Sequence, residues 1–272
     1  MDLKLKDKVV LVTGGYGDLG TELVIRFLQE GAKVAFCGRS QEKVDAAEQD
    51  FRKISDQVLG IRCDVGNSPD VQAMFDKIVE HFGTLDILVN NAGVARKAPK
   101  DRDNYFKLTM ETGQMFSLGV TRSMTDEEWL DSMNNNLNSV FYCTRAALNI
   151  MEPKGYGKII NVSSTAGISN TSAHSPSYST AKGAIAAFTR SVAREVIGAG
   201  VIVNAVAPGG ILTKFWKNPE VGKDILDKVT FPIPAKRMGT VHEHASLILY
   251  LASDEANYIV GQVVSANGGL YM

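Results

Sequence analysis

The 272 residues contain only three cysteines, Cys37, Cys63 and Cys143. An odd, widely spaced set without CxxC or histidine-rich spacing speaks against a disulfide framework or a metal site. No metal is therefore expected, and the three read as small core residues in a reducing, cytoplasmic setting. Charge of neither sign is in excess: 29 basic residues face 30 acidic ones, which leaves no bulk electrostatic reason to bind nucleic acid or an anionic membrane. No apolar run approaches the ~18–20 residues of a membrane span, and the opening MDLKLKDK has no signal-peptide apolar core. Internal repeats, low-complexity segments and domain linkers are also missing. The expectation is one domain over residues 1–272, whose 44% apolar content suffices for one sizeable core.

What the chain does contain is an alternation of two periods. Short apolar runs rich in β-branched residues read as strands: KVVLV (8–12), KVAFCG (33–38), QVLGIRCDV (57–65), LDILVNNAG (85–93), GKIINVSS (157–164), VIVNAVAPGG (201–210) and QVVSA (262–266). Between them lie helical periodicities over 21–31, 41–54, 68–83, 126–151, 178–200 and 241–253, the third opening with Ser and Pro as an N-cap signal. Seven strands with intervening helices predict an α/β fold, a doubly wound parallel sheet with helices on both faces and right-handed crossovers. Ligands of such sheets bind beyond the carboxyl ends of the strands. Two stretches break the rhythm: an insertion over 94–125, far longer than the usual ~4–6-residue connection, and a region over 209–240 mixing aromatics and prolines. Both follow strand ends and are expected over the same edge of the sheet.

Residues 13–20, TGGYGDLG, form a glycine turn between the first strand and the first helix. Backbone N–H groups at such a helix N-terminus attract a pyrophosphate, although glycine also serves ordinary turns. Further signals decide between the two. TGGYGDLG, NNAG (90–93), Asn136 within NNNLNSVF, Ser164 within IINVSS, YSTAK (178–182) and PGGILT (208–213) occur in one order over nearly the whole chain. In that order and spacing the sequence resembles the short-chain dehydrogenases/reductases, which implies a Rossmann-type fold and NAD(P)-dependent interconversion of an alcohol and a ketone.

The residues make chemical sense of that resemblance. Tyr178 and Lys182 stand four apart on a predicted helix, so both side chains share one face. A tyrosine is a poor base at neutral pH, and a nearby cation favours its phenolate. Lowering its pKa by about three units takes roughly 4 kcal/mol, which Lys182 and the positive ring of an oxidised nicotinamide are expected to supply. Tyr178 then exchanges the proton of the alcohol, and Ser164 hydrogen-bonds the reacting oxygen. By the resemblance, Asn136 holds a water between Lys182 and solvent. Taken singly, YxxxK occurs in many helices, Ser164 suits a turn and Asn136 a polar helix position. Ser164 to Tyr178 is one residue longer than the commonest family spacing, which leaves Thr165 a rival for the serine role. The resemblance also implies a cofactor set of Gly14, Gly17, Asp18, Leu19, Arg39, Asp64, Val65, Asn91, Ala92, Gly93, Tyr178, Lys182, Pro208, Gly209, Ile211 and Thr213.

Asp18 departs from the glycine most common in the family's TGxxxGxG turn; facing the phosphates, it would repel them. It can instead cap neighbouring N–H groups, and a subgroup similar to D-mannonate and gluconate oxidoreductases carries a side chain there. Arg39, where NAD enzymes usually place an acid, favours NADP(H) over NAD(H) through a 2′-phosphate; as an exposed arginine stacked on adenine it would permit NAD(H). The insertion carries Arg96, Lys97, Lys100, Arg102, Lys107 and Arg122 against Asp101, Asp103 and Glu111, a set that steers an anion or is a solvated face. Tyr105, Phe106, Met110, Met115, Phe116, Phe215 and Trp216 suit a lipophilic slot. The subgroup similarity favours a sugar acid or small polyol; the alternative is a bulky apolar or acyl-thioester ketone. A non-catalytic cofactor-binding or partner subunit is the alternative of another class, supported by Asp18 alone. The family usually associates through helices equivalent to 126–151 and 178–197, so a homo-oligomer, dimer or tetramer, is expected.

Overall fold

The computed structural model describes residues 2–94, 117–169, 175–218, 226–227 and 230–272. Seven parallel strands form one sheet: β1 Val9–Thr13, β2 Lys33–Gly38, β3 Val58–Arg62, β4 Ile87–Asn90, β5 Gly157–Val162, β6 Val201–Val206 and β9 Val263–Val264. Their order across the sheet is β3-β2-β1-β4-β5-β6-β9. The chain runs outward from β1 to β3 and then returns to β4 on the other flank of β1, which opens a crevice between the ends of β1 and β4. All five residues of β1 are buried. Val10 and Val12 face one core with Leu23 and Phe27 of helix α1 (Asp18–Gln29), while Val9 and Leu11 face a second with Phe75 and Ile78 of α3 (Ser68–Phe82). Burial on both faces explains why the strands read as continuous apolar runs. The three cysteines lie free and buried in that second core, as expected of small apolar residues.

Element ends differ from the sequence expectation where side chains take over. Helix α1 starts at Asp18 rather than Thr21, so the glycine turn runs straight into it. Asn67, not Ser68, caps α3, accepting from the Asp70 N–H. Ser40 caps α2 (Gln41–Arg52), accepting from the Lys43 N–H.

The expected helix over 126–151 is broken. It comprises α4 (Asp126–Met133), a π-helical turn over Asn134–Asn138, and α5 (Ser139–Lys154). The side-chain amides of Asn135 and Asn136 donate to the carbonyls of Asp131 and Ser132, which competes with the regular backbone ladder. Helix α6 spans Pro176–Val196, with Pro176 in its first turn, and α7 spans Val241–Ala252 behind a Thr240–Glu243 capping box. The pairing of β7 (Ile211–Leu212) with β8 (Gly239–Thr240) in a second, two-stranded sheet was not expected from sequence. Of the insertion, residues 95–116 lie outside the described residues, and with them Arg96, Lys97, Lys100, Asp101, Arg102, Asp103, Tyr105, Phe106, Lys107, Met110, Glu111, Met115 and Phe116.

Candidate active site

Thr13 ends β1 and ties the crevice together. Its buried hydroxyl accepts from the backbone N–H groups of Asn91 (3.0 Å) and Ala92 (2.9 Å), and the Asn91 side chain donates back to the Thr13 carbonyl at 2.9 Å. A Cβ on Gly20 would lie 2.1 Å from the Gly14 oxygen, so only glycine lets α1 approach the turn this closely. Gly17 caps α1 with no side-chain bond, so no N-cap side chain occupies its first N–H groups.

One layer deeper, Asn90 of β4 and Asn161 of β5 stand in register. Asn90 donates to Asn161 (2.8 Å) and to Thr144 (3.2 Å), and Asn161 donates to Thr189 at 2.9 Å. This buried chain fastens α5 and α6 to the centre of the sheet.

Helix α6 carries two residues of the expected catalytic set. Tyr178 and Lys182 lie one turn apart on α6, with the Lys182 Nζ 5.7 Å from the centre of the tyrosine ring. Lys182 is buried and donates to the Val162 carbonyl at 2.8 Å. Ser164 follows β5; its hydroxyl accepts from the Ala166 N–H at 3.2 Å and hydrogen-bonds Tyr178. Gly167 permits this, because a Cβ there would fall 2.4 Å from the backbone of Lys182 and Gly183. Thr165 instead points its N–H at the Pro208 carbonyl and lies buried, so the serine beside Tyr178 is Ser164. Asn136 sits in the π-helical turn, fully buried, with its amide bonded both ways to the backbone of Val94. Its Oδ1 and the Lys182 Nζ flank a single point, 3.0 and 3.1 Å from where a Gly93 Cβ would stand.

The electrostatics of the free chain show the Tyr178–Lys182 pair without the nicotinamide that the expectation included. Burial raises the pKa of Tyr178, only partly opposed by the Ser164 hydrogen bond, so the phenol stays protonated in the free chain. Burial brings Lys182 down to about 8. The ammonium at the distance seen here does not outweigh the loss of water around the ring.

Residues 17–271 match the family described as Enoyl-(Acyl carrier protein) reductase, a short-chain dehydrogenase/reductase class. The chain belongs to the short-chain dehydrogenase/reductase family. It is therefore an NAD(P)-dependent oxidoreductase of the CH–OH/ketone type. It is 37% identical to the 3-oxoacyl-[acyl-carrier-protein] reductase FabG of Vibrio cholerae, covering 99% of this chain and all of that one. It is 32% identical to the acetoacetyl-CoA reductase of Cupriavidus necator over 98% of this chain and all of that one. The crystal structure of a point variant of actinorhodin polyketide ketoreductase with NADPH superposes with a TM-score of 0.83 at 29% identity, over 97% of each chain. These relatives do not support the sugar-acid subgroup; they stand with the acyl-thioester alternative.

A cavity of about 340 Å³ opens at the crevice, where the resemblance leads one to expect the cofactor. Gly14, Gly17, Asp18, Leu19, Arg39, Asp64, Val65, Asn91, Ala92, Gly93 and Thr213 line it, all from the expected set. Tyr178, Lys182, Pro208, Gly209 and Ile211 lie outside its lining, Lys182 beside Gly93. Uncapped N–H groups at the start of α1 suit a pyrophosphate, and the missing side chain of Gly93 lets the cavity lining come up against Lys182 and Asn136. Arg39 is exposed on the rim and reaches Asn135 Oδ1 at 3.4 Å. Sequence reasoning missed Tyr16, Gly20, Cys37, Gly38, Cys63, Val94 and Asn135 in the lining. It also missed the clasp made by Thr13, whose signal was its place at the head of TGG.

Proposed function

We propose that this chain is an NADPH-dependent reductase of 3-oxoacyl thioesters, with Tyr178, Ser164, Lys182 and Asn136 as its catalytic set. The observation that carries the reading is Tyr178 held protonated beside Ser164 and Lys182, next to a cavity of dinucleotide character. The phenol can give a proton to a carbonyl oxygen in reduction and take it back in oxidation, and the choice of reduction rests on what the relatives are named for. The names of the relatives support the thioester class, and NADPH in the related ketoreductase, together with the exposed Arg39, supports the phosphorylated cofactor.

The nicotinamide, when bound, exchanges the hydride. Ser164 donates a hydrogen bond to the oxygen that gains charge. Tyr178 transfers its proton to that oxygen, and Lys182 stabilises the phenolate left behind. With its pKa near 8, Lys182 gives up and regains a proton close to neutrality, so it can restore the phenol through a water held at Asn136.

Acetoacetyl-CoA with NADPH tests this by loss of nicotinamide absorbance. Turnover is expected, with NADH much poorer, and Tyr178→Phe should lower kcat roughly 10²–10⁴-fold while cofactor binding by fluorescence is retained. Turnover of hexonates with NADP⁺, and none of the thioester, would reverse the substrate assignment.

A further inference from the structure

Asp18 sits in the first turn of α1 and lines the cofactor cavity, yet its carboxylate does not stand free. Its Oδ2 accepts from the Lys214 N–H at 3.1 Å, across 196 positions of sequence. Lys214 opens the short helix Lys214–Lys217, whose own N-cap, Thr213, makes no side-chain cap bond. Asp18 thus supplies from a distant part of the chain the acceptor that an N-cap side chain ordinarily supplies. Thr213 lines the same cavity. The same face of α1 continues the pattern at four-residue spacing. Glu22 meets His242 Nδ1 at 3.0 Å, and Arg26 donates to the Ser246 hydroxyl at 2.6 Å and to the His242 carbonyl at 3.3 Å. One helix face therefore holds residues on both sides of the loop that leaves β7 and returns at β8. Phe215 is 65% exposed, and Ile211, Leu212 and Trp216 are only half-buried, so the start of that loop has no fully buried apolar anchor.

We propose that Asp18 is a positioning residue that docks the 211–217 segment onto the glycine turn, so that the substrate-side wall of the cofactor cavity is held by the residue that opens the phosphate-facing helix. The proposal rests on that cavity holding the nicotinamide cofactor. It assigns the departure from glycine a purpose: the carboxylate is engaged with an N–H group instead of being aimed at the phosphates.

Amide hydrogen exchange over residues 213–217 of the cofactor-free protein tests the docking without any turnover. Asp18→Ala should exchange the Lys214 amide about tenfold faster, whereas Asp18→Asn, which keeps an acceptor oxygen, should stay within about twofold of wild type. In kinetics, Asp18→Ala should raise KM for the oxo substrate by about tenfold, and Asp18→Asn should restore it. Unchanged exchange at Lys214 in Asp18→Ala overturns the proposal. So does equal tightening of NADPH by both variants, which would mean that Asp18 acts through its charge on the phosphates. Failure of every variant and of wild type to bind NADPH would refute the cofactor reading instead, while the exchange result still judges the docking.

Discussion

Lys182 is the residue on which the site's chemistry and the fold's stability conflict. Burial lowers its pKa from 10.5 to about 8, so the protonated form is disfavoured in the folded state. Between those values the unfolded chain binds more protons, and stability rises with pH across that window. The penalty is fully present below about pH 8 and amounts to about 3 kcal/mol at pH 7, partly offset by the bond to Val162. Lys182→Met should therefore melt higher than wild type at pH 7, with the gap closing as pH approaches 10.5; a gap that widens with pH would refute the assignment. At this scale the sequence was legible where spacing alone carries information: four residues on a helix put Tyr178 and Lys182 on one face. It was not legible where burial decides. The raised pKa of Tyr178 comes from packing around the ring, which no spacing encodes. Asp18 likewise suggested a substrate subgroup, whereas in the fold its carboxylate accepts a hydrogen bond from the Lys214 N–H, a partner 196 positions away that no local pattern reveals.

At the scale of elements, strand and helix identity followed from period, and the ends did not. The run NNNLN gave a helix continuous with its neighbours by periodicity, yet its amides capture carbonyls of the preceding turn and open a π-helical turn that directs Asn136 inward. The fixation of α5 and α6 depends on the Asn90–Asn161 chain, which looks in sequence like two polar interruptions of apolar strands. Asn161→Ala removes one of the two acceptors of the Asn90 amide and the donor to the Thr189 hydroxyl in a dry setting. It should cost about 1–3 kcal/mol in urea unfolding and lower kcat through misplacement of α6. A loss below experimental error in both would refute the role of this chain as the helix fastening. The β7–β8 pair escaped notice because two residues carry no periodicity at all.

At the scale of the whole molecule, the strand alternation was enough to expect a seven-stranded doubly wound sheet, while the order of its strands came from the structure. The assembly is a prediction at this scale. Trp129, Leu130 and Phe141 are exposed on α4 and α5, and the Phe141 ring meets Phe188 of α6 at 6.3 Å, so an apolar surface spans the two helices expected to pair with a second copy. Gel filtration should give a multiple of 29.5 kDa, and a single-chain mass would reject the oligomer. No helix among the described residues is long and apolar enough to cross a membrane.

The pairing of β1 with β2 and β4, and of β2 with β3, uses no residue beyond Asn90. The glycine turn and its Thr13 clasp are thus built from contacts within the first 92 residues, whereas the core behind β1 closes only with Ala245, Ile248 and Leu249 of α7. Truncation before α7 should therefore uncover the face of β1 and α1 that supports the turn, even though every hydrogen bond of the turn itself is made by the first third of the chain.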